Sequence, residues 1–151
     1  MNGADLVIKW FEKSADDLTA AKRVFENVHP KLIEIACYHC QQSVEKSLKG
    51  FLQYYDIKPP HTHNLTMLCQ MCSEIDSSFQ GLQDMCSTLS TYATTTRYPD
   101  DDIEITEDNA RFAIKEAERI YTFCADLIPE IKQEQEQDQE QNQAQIPEQT
   151  M

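Results

Sequence analysis

Residues 39 to 53 hold the side chains best suited to chemistry. At 100° per residue, His39, Gln42, Lys46, Lys49 and Gln53 fall within about 80° of one another on a helix. An imidazole, two amides and two ammonium groups in one row suit a phosphate, with His39 and Gln42 left to read a base edge. The plain alternative is a solvated face steadied by Glu45–Lys49 pairing at i, i+4. A second segment is Arg97-Tyr98-Pro99-Asp100. Pro99 restricts Tyr98 to extended backbone, which puts Arg97 and Tyr98 on a stiffened turn at a helix exit. There Arg97 can engage phosphate bidentately and Tyr98 can stack on a base. Equally, Arg97 can pair with the aspartates beside it.

Other clusters carry less. Cys37-x-x-Cys40 and Cys69-x-x-Cys72 have the spacing of zinc half-sites. Both pairs lie inside helical apolar patterns and lack the Gly or Pro of a zinc knuckle, so they read as buried thiols, as do Cys86 and Cys124. His61-x-His63 offers two imidazoles with no third committed ligand. The simpler reading has His63 or Thr62 capping the next helix and His61 exposed. Asp100, Asp101 and Asp102 have the chemistry to chelate Mg²⁺, but a solvated turn accounts for them. No metal and no cofactor is expected.

These residues need elements to hold them. Leu6, Trp10, Leu18, Ala21, Phe25 and Val28 mark a first long helix. His29-Pro30 interrupts it, with Pro30 suited to the first position of the next helix. Ile33, Cys37, Cys40, Val44, Leu48, Phe51 and Tyr55 form that second stripe, which Lys58-Pro59-Pro60 ends. A third helix is expected from about residue 62 to 74, with Leu65, Leu68 and Cys72 inward. Asp76 or Ser77 caps a fourth, carrying Phe79, Leu82, Met85, Cys86, Leu89 and Tyr92. Thr106 caps the last, with Glu107 and Asp108 in its first turn and Ala110, Ile114, Ala117, Tyr121, Cys124 and Ile128 inward. The expectation is an all-α bundle of about five helices.

Length and composition agree. The chain has 151 residues and a net charge of −13, enough chain for one domain that buries about 70% of its unfolded surface. Three Gly and six Pro are too few for a turn-dense sandwich or barrel. The acidity argues against an extended basic nucleic-acid footprint, though not against a local basic pocket. No run approaches the length of a membrane span, and charged residues among the first seventeen do not suit a signal peptide. A cytoplasmic protein without disulfides is expected. From Lys132 the sequence turns to Gln and acid with few apolar side chains. Residues 1–131 are thus read as the folded domain, and 132–151 as frayed helix passing into disorder.

The chain resembles a known family. Trp10 with Ala15-Asp16-Asp17-Leu18, then the run from Ala36 through Tyr38-His39, Gln41-Gln42 and Glu45-Lys46 to Lys49, then Pro60-His61-Thr62-His63-Asn64-Leu65, then Thr96-Arg97-Tyr98-Pro99-Asp100 look like the HEPN family. The acronym stands for higher eukaryotes and prokaryotes nucleotide-binding. The resemblance runs over roughly residues 4–130. It implies a compact helical bundle, usually dimeric, in some members encoded beside a minimal nucleotidyltransferase in toxin–antitoxin-like pairs. Other members are RNases with an Arg followed four to six residues later by His, and no His follows His63 here. By the resemblance, His39, Gln42, Lys46, His63, Arg97 and Tyr98 line a pocket for nucleotide or RNA phosphate. The alternatives are a metal-independent RNase with a displaced histidine and a purely structural protein-interaction module.

Overall fold

A computed structural model describes residues 2–95 and 104–145. Among the described residues there are six α-helices, one 3₁₀ helix and no strand. The helices are α1 (Gly3–Asn27), α2 (Ile33–Tyr54), α3 (Leu65–Ile75), α4 (Gln83–Thr95), α5 (Glu107–Asp126) and α6 (Pro129–Gln145), with the 3₁₀ segment Ser77–Leu82 leading into α4. The architecture is the expected all-α bundle. Among the described helices, none is long and apolar enough to cross a membrane.

Most helix starts follow from local chemistry. Asn2 and Asn64 each accept a backbone N–H three residues on, and so cap α1 and α3. Thr106 and Asn109 form a reciprocal capping box at α5. Three boundaries differ from expectation. Pro30 is not the first residue of α2, which begins at Ile33 after Leu32. α2 ends at Tyr54, ahead of the prolines, because Asp56 turns left-handed (φ 58°) and Ile57 N–H reaches back to Leu52 O. Asn64, not Thr62 or His63, caps α3. Asp76 does cap the next element, but that element is the 3₁₀ segment that holds Phe79 and Leu82.

α2 is the axis of the molecule, packed against α1, α3, α4 and α5. Its expected stripe of Cys37, Cys40, Val44, Leu48 and Phe51 is fully buried, whereas Tyr55 is exposed. Burying one such Leu or Phe side chain contributes about 1.5–3 kcal/mol. On α1 the inward seam is Val7, Phe11, Ser14, Leu18, Ala21 and Phe25, one residue off the expected Leu6 and Trp10 at its start. Alternating steps of four and three along that seam hold one face against α2.

α1 and α2 run antiparallel, since Ser14 meets Ser43 and Ser47 while the later Asp17 meets the earlier His39. Small side chains let the two helices close tightly. The Ser14 hydroxyl donates to Ser43 O at 2.7 Å and lies 2.7 Å from the Ser47 hydroxyl, all three residues being buried. Gly50 faces Phe11 and Trp10 in the same seam. On α5, Ala110, Ala113 and Ala117 are buried and serve the same close approach. α6 carries the Gln/Glu-rich segment as helix to Gln145, anchored by buried Ile131 and by Gln135, which donates to the Tyr121 hydroxyl at 2.7 Å. Gln and Glu are good helix formers, so such a segment extends a helix without burying an apolar face.

Candidate functional site

Because α2 is central, only a narrow flank of it reaches solvent. Gln41, Ser43, Glu45 and Ser47 are buried, and of the expected polar face His39, Gln42, Lys46 and Gln53 stay half-buried while Lys49 is buried. What remains open is a polar strip. It holds Tyr38, His39, Gln42 and Lys46 of α2, half-buried or exposed. Asp17 of α1 stands on one side, and the segment ahead of α3 that carries His63 stands on the other.

Each side is tied to α2 through one carboxylate. On the α1 side, His39 Nδ1 lies 3.0 Å from Asp17 Oδ1, and Lys46 Nζ bonds the other Asp17 oxygen. On the opposite side, His63 Nδ1 lies 2.7 Å from Glu45 Oε1, and Lys49 Nζ lies 3.2 Å from Glu45 Oε2. The Glu45 and Lys49 side chains are 5% and 8% exposed, so this pair is drawn out of water, whereas His63 is 67% exposed. Lys49 also lies 5.8 Å from the centre of the Trp10 ring, a cation–π distance. Gln42 donates to Gln41 Oε1 (2.9 Å) and Gln41 donates to His63 O (3.0 Å), a chain of amides that fastens the His63 segment to α2. Among the described residues, no buried side-chain nitrogen or oxygen lacks a hydrogen-bond partner.

Four of the six residues singled out in the sequence are thus tied to α2 or its neighbours: His39 and Lys46 share Asp17, and Gln42 and His63 are joined through Gln41. Arg97 and Tyr98 lie outside the described residues, as do Pro99 and Asp100 to Asp102. α4, which precedes them, is bonded to the start of α3, where Ser90 Oγ accepts from Leu65 N at 3.2 Å. Arg111, the next arginine along the chain, is exposed, pairs with Asp108 at 2.9 Å and lies 5.4 Å from the Phe25 ring centre.

Sequence reasoning had no role for Asp17, Glu45 or Gln41 in the site. Asp17 carried one weak signal: it sits three residues after Ser14, the same helical step that keeps two side chains on one face. Glu45 was visible as a partner for Lys49 and as part of the run that carries the family resemblance, not as a partner for His63.

All six thiols are buried and unlinked. Cys69 Sγ donates to Phe79 O at 3.3 Å and Cys72 Sγ to Leu48 O at 3.6 Å. Burial pushes the Cys37 thiol up to about 11, and pushes Cys40, Cys72 and Cys124 upward as well. Among the described residues no three His, Cys, Asp or Glu side chains gather as metal ligands.

The HEPN domain matches residues 7–128 of this helical bundle, and the chain belongs to that family. Membership points to a nucleotide- or RNA-related role. The fold is similar to that in the crystal structure of TT1696 from Thermus thermophilus, with a TM-score of 0.68 and 23% sequence identity over 78% of this chain and 94% of that one. At that identity the likeness speaks for the fold. A comparison with curated proteins finds no match.

Proposed function

We propose that the chain binds a nucleotide or RNA along the α2 strip. Lys46 and Arg97 hold phosphate, Tyr98 stacks on a base, His39 with Gln42 orients the base or ribose, and His63 stands at the far side. In this reading the protein works as a homodimer in the cytoplasm, beside a minimal nucleotidyltransferase, in a toxin–antitoxin-like pair. The observation that supports it is the alignment of His39, Gln42 and Lys46 on the accessible flank of α2, with His63 bonded to Glu45 of the same helix. Lys46 gives one hydrogen bond to Asp17 and, as an ammonium with three donors, has two left for phosphate oxygens. Calorimetric titration with ATP, GTP and a short RNA tests the reading. At least one ligand binds, and Lys46→Met or Arg97→Ala weakens it about tenfold. No binding by the wild type, or binding indifferent to both changes, rejects the pocket.

One observation favours a second reading, a metal-independent RNase with a displaced histidine. The Glu45 carboxylate orients an exposed His63 imidazole, the arrangement of a general base. RNA cleavage in EDTA that disappears in His63→Ala supports it; intact RNA excludes it.

A further inference from the structure

His39 and Lys46 are seven residues apart, two helical turns, yet both end on the one carboxylate of Asp17. The ammonium and the imidazole therefore sit on the two oxygens of a single carboxylate. A salt-bridged carboxylate only accepts hydrogen bonds, so the ring nitrogen that faces it must carry the proton. His39 Nδ1–H donates to Asp17 Oδ1, and in the neutral ring Nε2 keeps its lone pair. Asp17 is 14% exposed in its side chain and sits on a helix whose seam is locked against α2, so its grip is fixed before any ligand arrives.

We infer that Asp17 is a positioning residue that makes the strip selective for ribonucleotides, by holding His39 Nε2 as an acceptor for a ribose hydroxyl beside the phosphate-holding Lys46. This deepens the proposed function and rests on it. The ligand class is a phosphate ester with a free neighbouring hydroxyl: the ammonium takes the phosphate oxygen and Nε2 takes the 2′-hydroxyl proton in a hydrogen bond. A 2′-hydroxyl is what separates RNA from DNA for a protein. A deoxyribonucleotide would leave Nε2 facing a ligand without its donor, and an unmet acceptor costs affinity.

The test has two readouts. Long-range ¹H–¹⁵N spectra of the full chain, recorded above the imidazole titration range, report the His39 tautomer. Affinities for a short oligoadenylate and its deoxy counterpart report selectivity. The wild type shows His39 protonated on Nδ1 and prefers the ribo-oligomer by about tenfold. Asp17→Asn frees the ring to take the Nε2–H tautomer and brings the two affinities together, and His39→Ala does the same without disturbing Asp17. Circular dichroism confirms that both variants are folded. An Nε2–H tautomer in the wild type, or undiminished selectivity in both variants, overturns the inference. Equal binding of the two oligomers by the wild type rejects the selectivity while leaving the binding reading intact. Binding of neither removes the proposed function itself, and the ribose selectivity with it.

Discussion

Gly50→Ala separates close helix packing from intrinsic helix preference, because the two make opposite predictions. Position 50 is inside α2, where exchanging Gly for Ala would by itself add about 0.5–1 kcal/mol of stability. A Cβ there, however, would stand 2.7 Å from Phe11 Cε2, 3.0 Å from Phe11 Cδ2 and 3.1 Å from Trp10 Cβ. Phe11 is 2% exposed, and its ring lies edge-on to Tyr121 with centroids 5.9 Å apart, so to make room it must shift toward Tyr121 and the cavity that the two rings line. Trp10 Cβ moves only with the α1 backbone. Overpacking of this kind costs about 1–3 kcal/mol. With the propensity gain subtracted, the variant should lose up to about 2.5 kcal/mol, a fall in Tm of up to roughly 10 °C for a chain this size. Urea unfolding followed through Trp10, the chain's single tryptophan, reads the change at the contact itself. The Gly50→Ala and Phe11→Leu double variant should lose less than the two single losses combined, since the smaller side chain makes room. A Gly50→Ala protein more stable than the wild type would refute the close approach of α1 and α2.

Three further outcomes follow from the same packing. Glu45→Ala leaves Lys49 buried without its partner and should cost about 3–5 kcal/mol in urea titrations, whereas replacing both Glu45 and Lys49 with Met should cost much less. The Cys37 thiol titrates near 9.0 when unfolded and is pushed up to about 11 in the fold. The folded state therefore keeps a proton that the unfolded chain releases: stability is intact below pH 9 and declines as pH rises through 11, a decline that Cys37→Ala should reduce. Truncation after Lys132 keeps buried Ile128 and Ile131 and should shift stability by less than about 1 kcal/mol, whereas truncation after Leu127 removes both and should cost several-fold more in a thermal melt.

The helical class was legible because apolar periodicity survives in every segment, and Thr106 was legible as a cap because its chemistry is local. The α1 seam was harder. Leu6-Val7 and Trp10-Phe11 are adjacent apolar pairs, and periodicity cannot choose which member of each pair faces inward; only the packing against Gly50 and Ser47 does. The central place of α2 was hidden for a related reason. Gln41, Glu45 and Lys49 read as surface residues, yet the His63 segment and α1 supply partners that let them be buried. The strip shows the same division. His39, Gln42 and Lys46 share a face by spacing alone, while Asp17 and His63 join them only through the register of α1 and the path of the chain ahead of α3. The helix expected to fray from Lys132 runs on to Gln145 as α6, a length that a composition poor in apolar residues could not give.

The three hydroxyls of Ser14, Ser43 and Ser47 have a consequence at a distance. Hydrophobic contacts tolerate sliding, but directional bonds in a dry seam do not. Were α1 to slip by one turn along α2, Ser14 would keep one of its two serine partners and lose the other, and Asp17 would miss both His39 and Lys46. The hydroxyl cluster thus acts as a detent on the back of the strip, indexing one rod against the other so that the front face assembles in a single alignment.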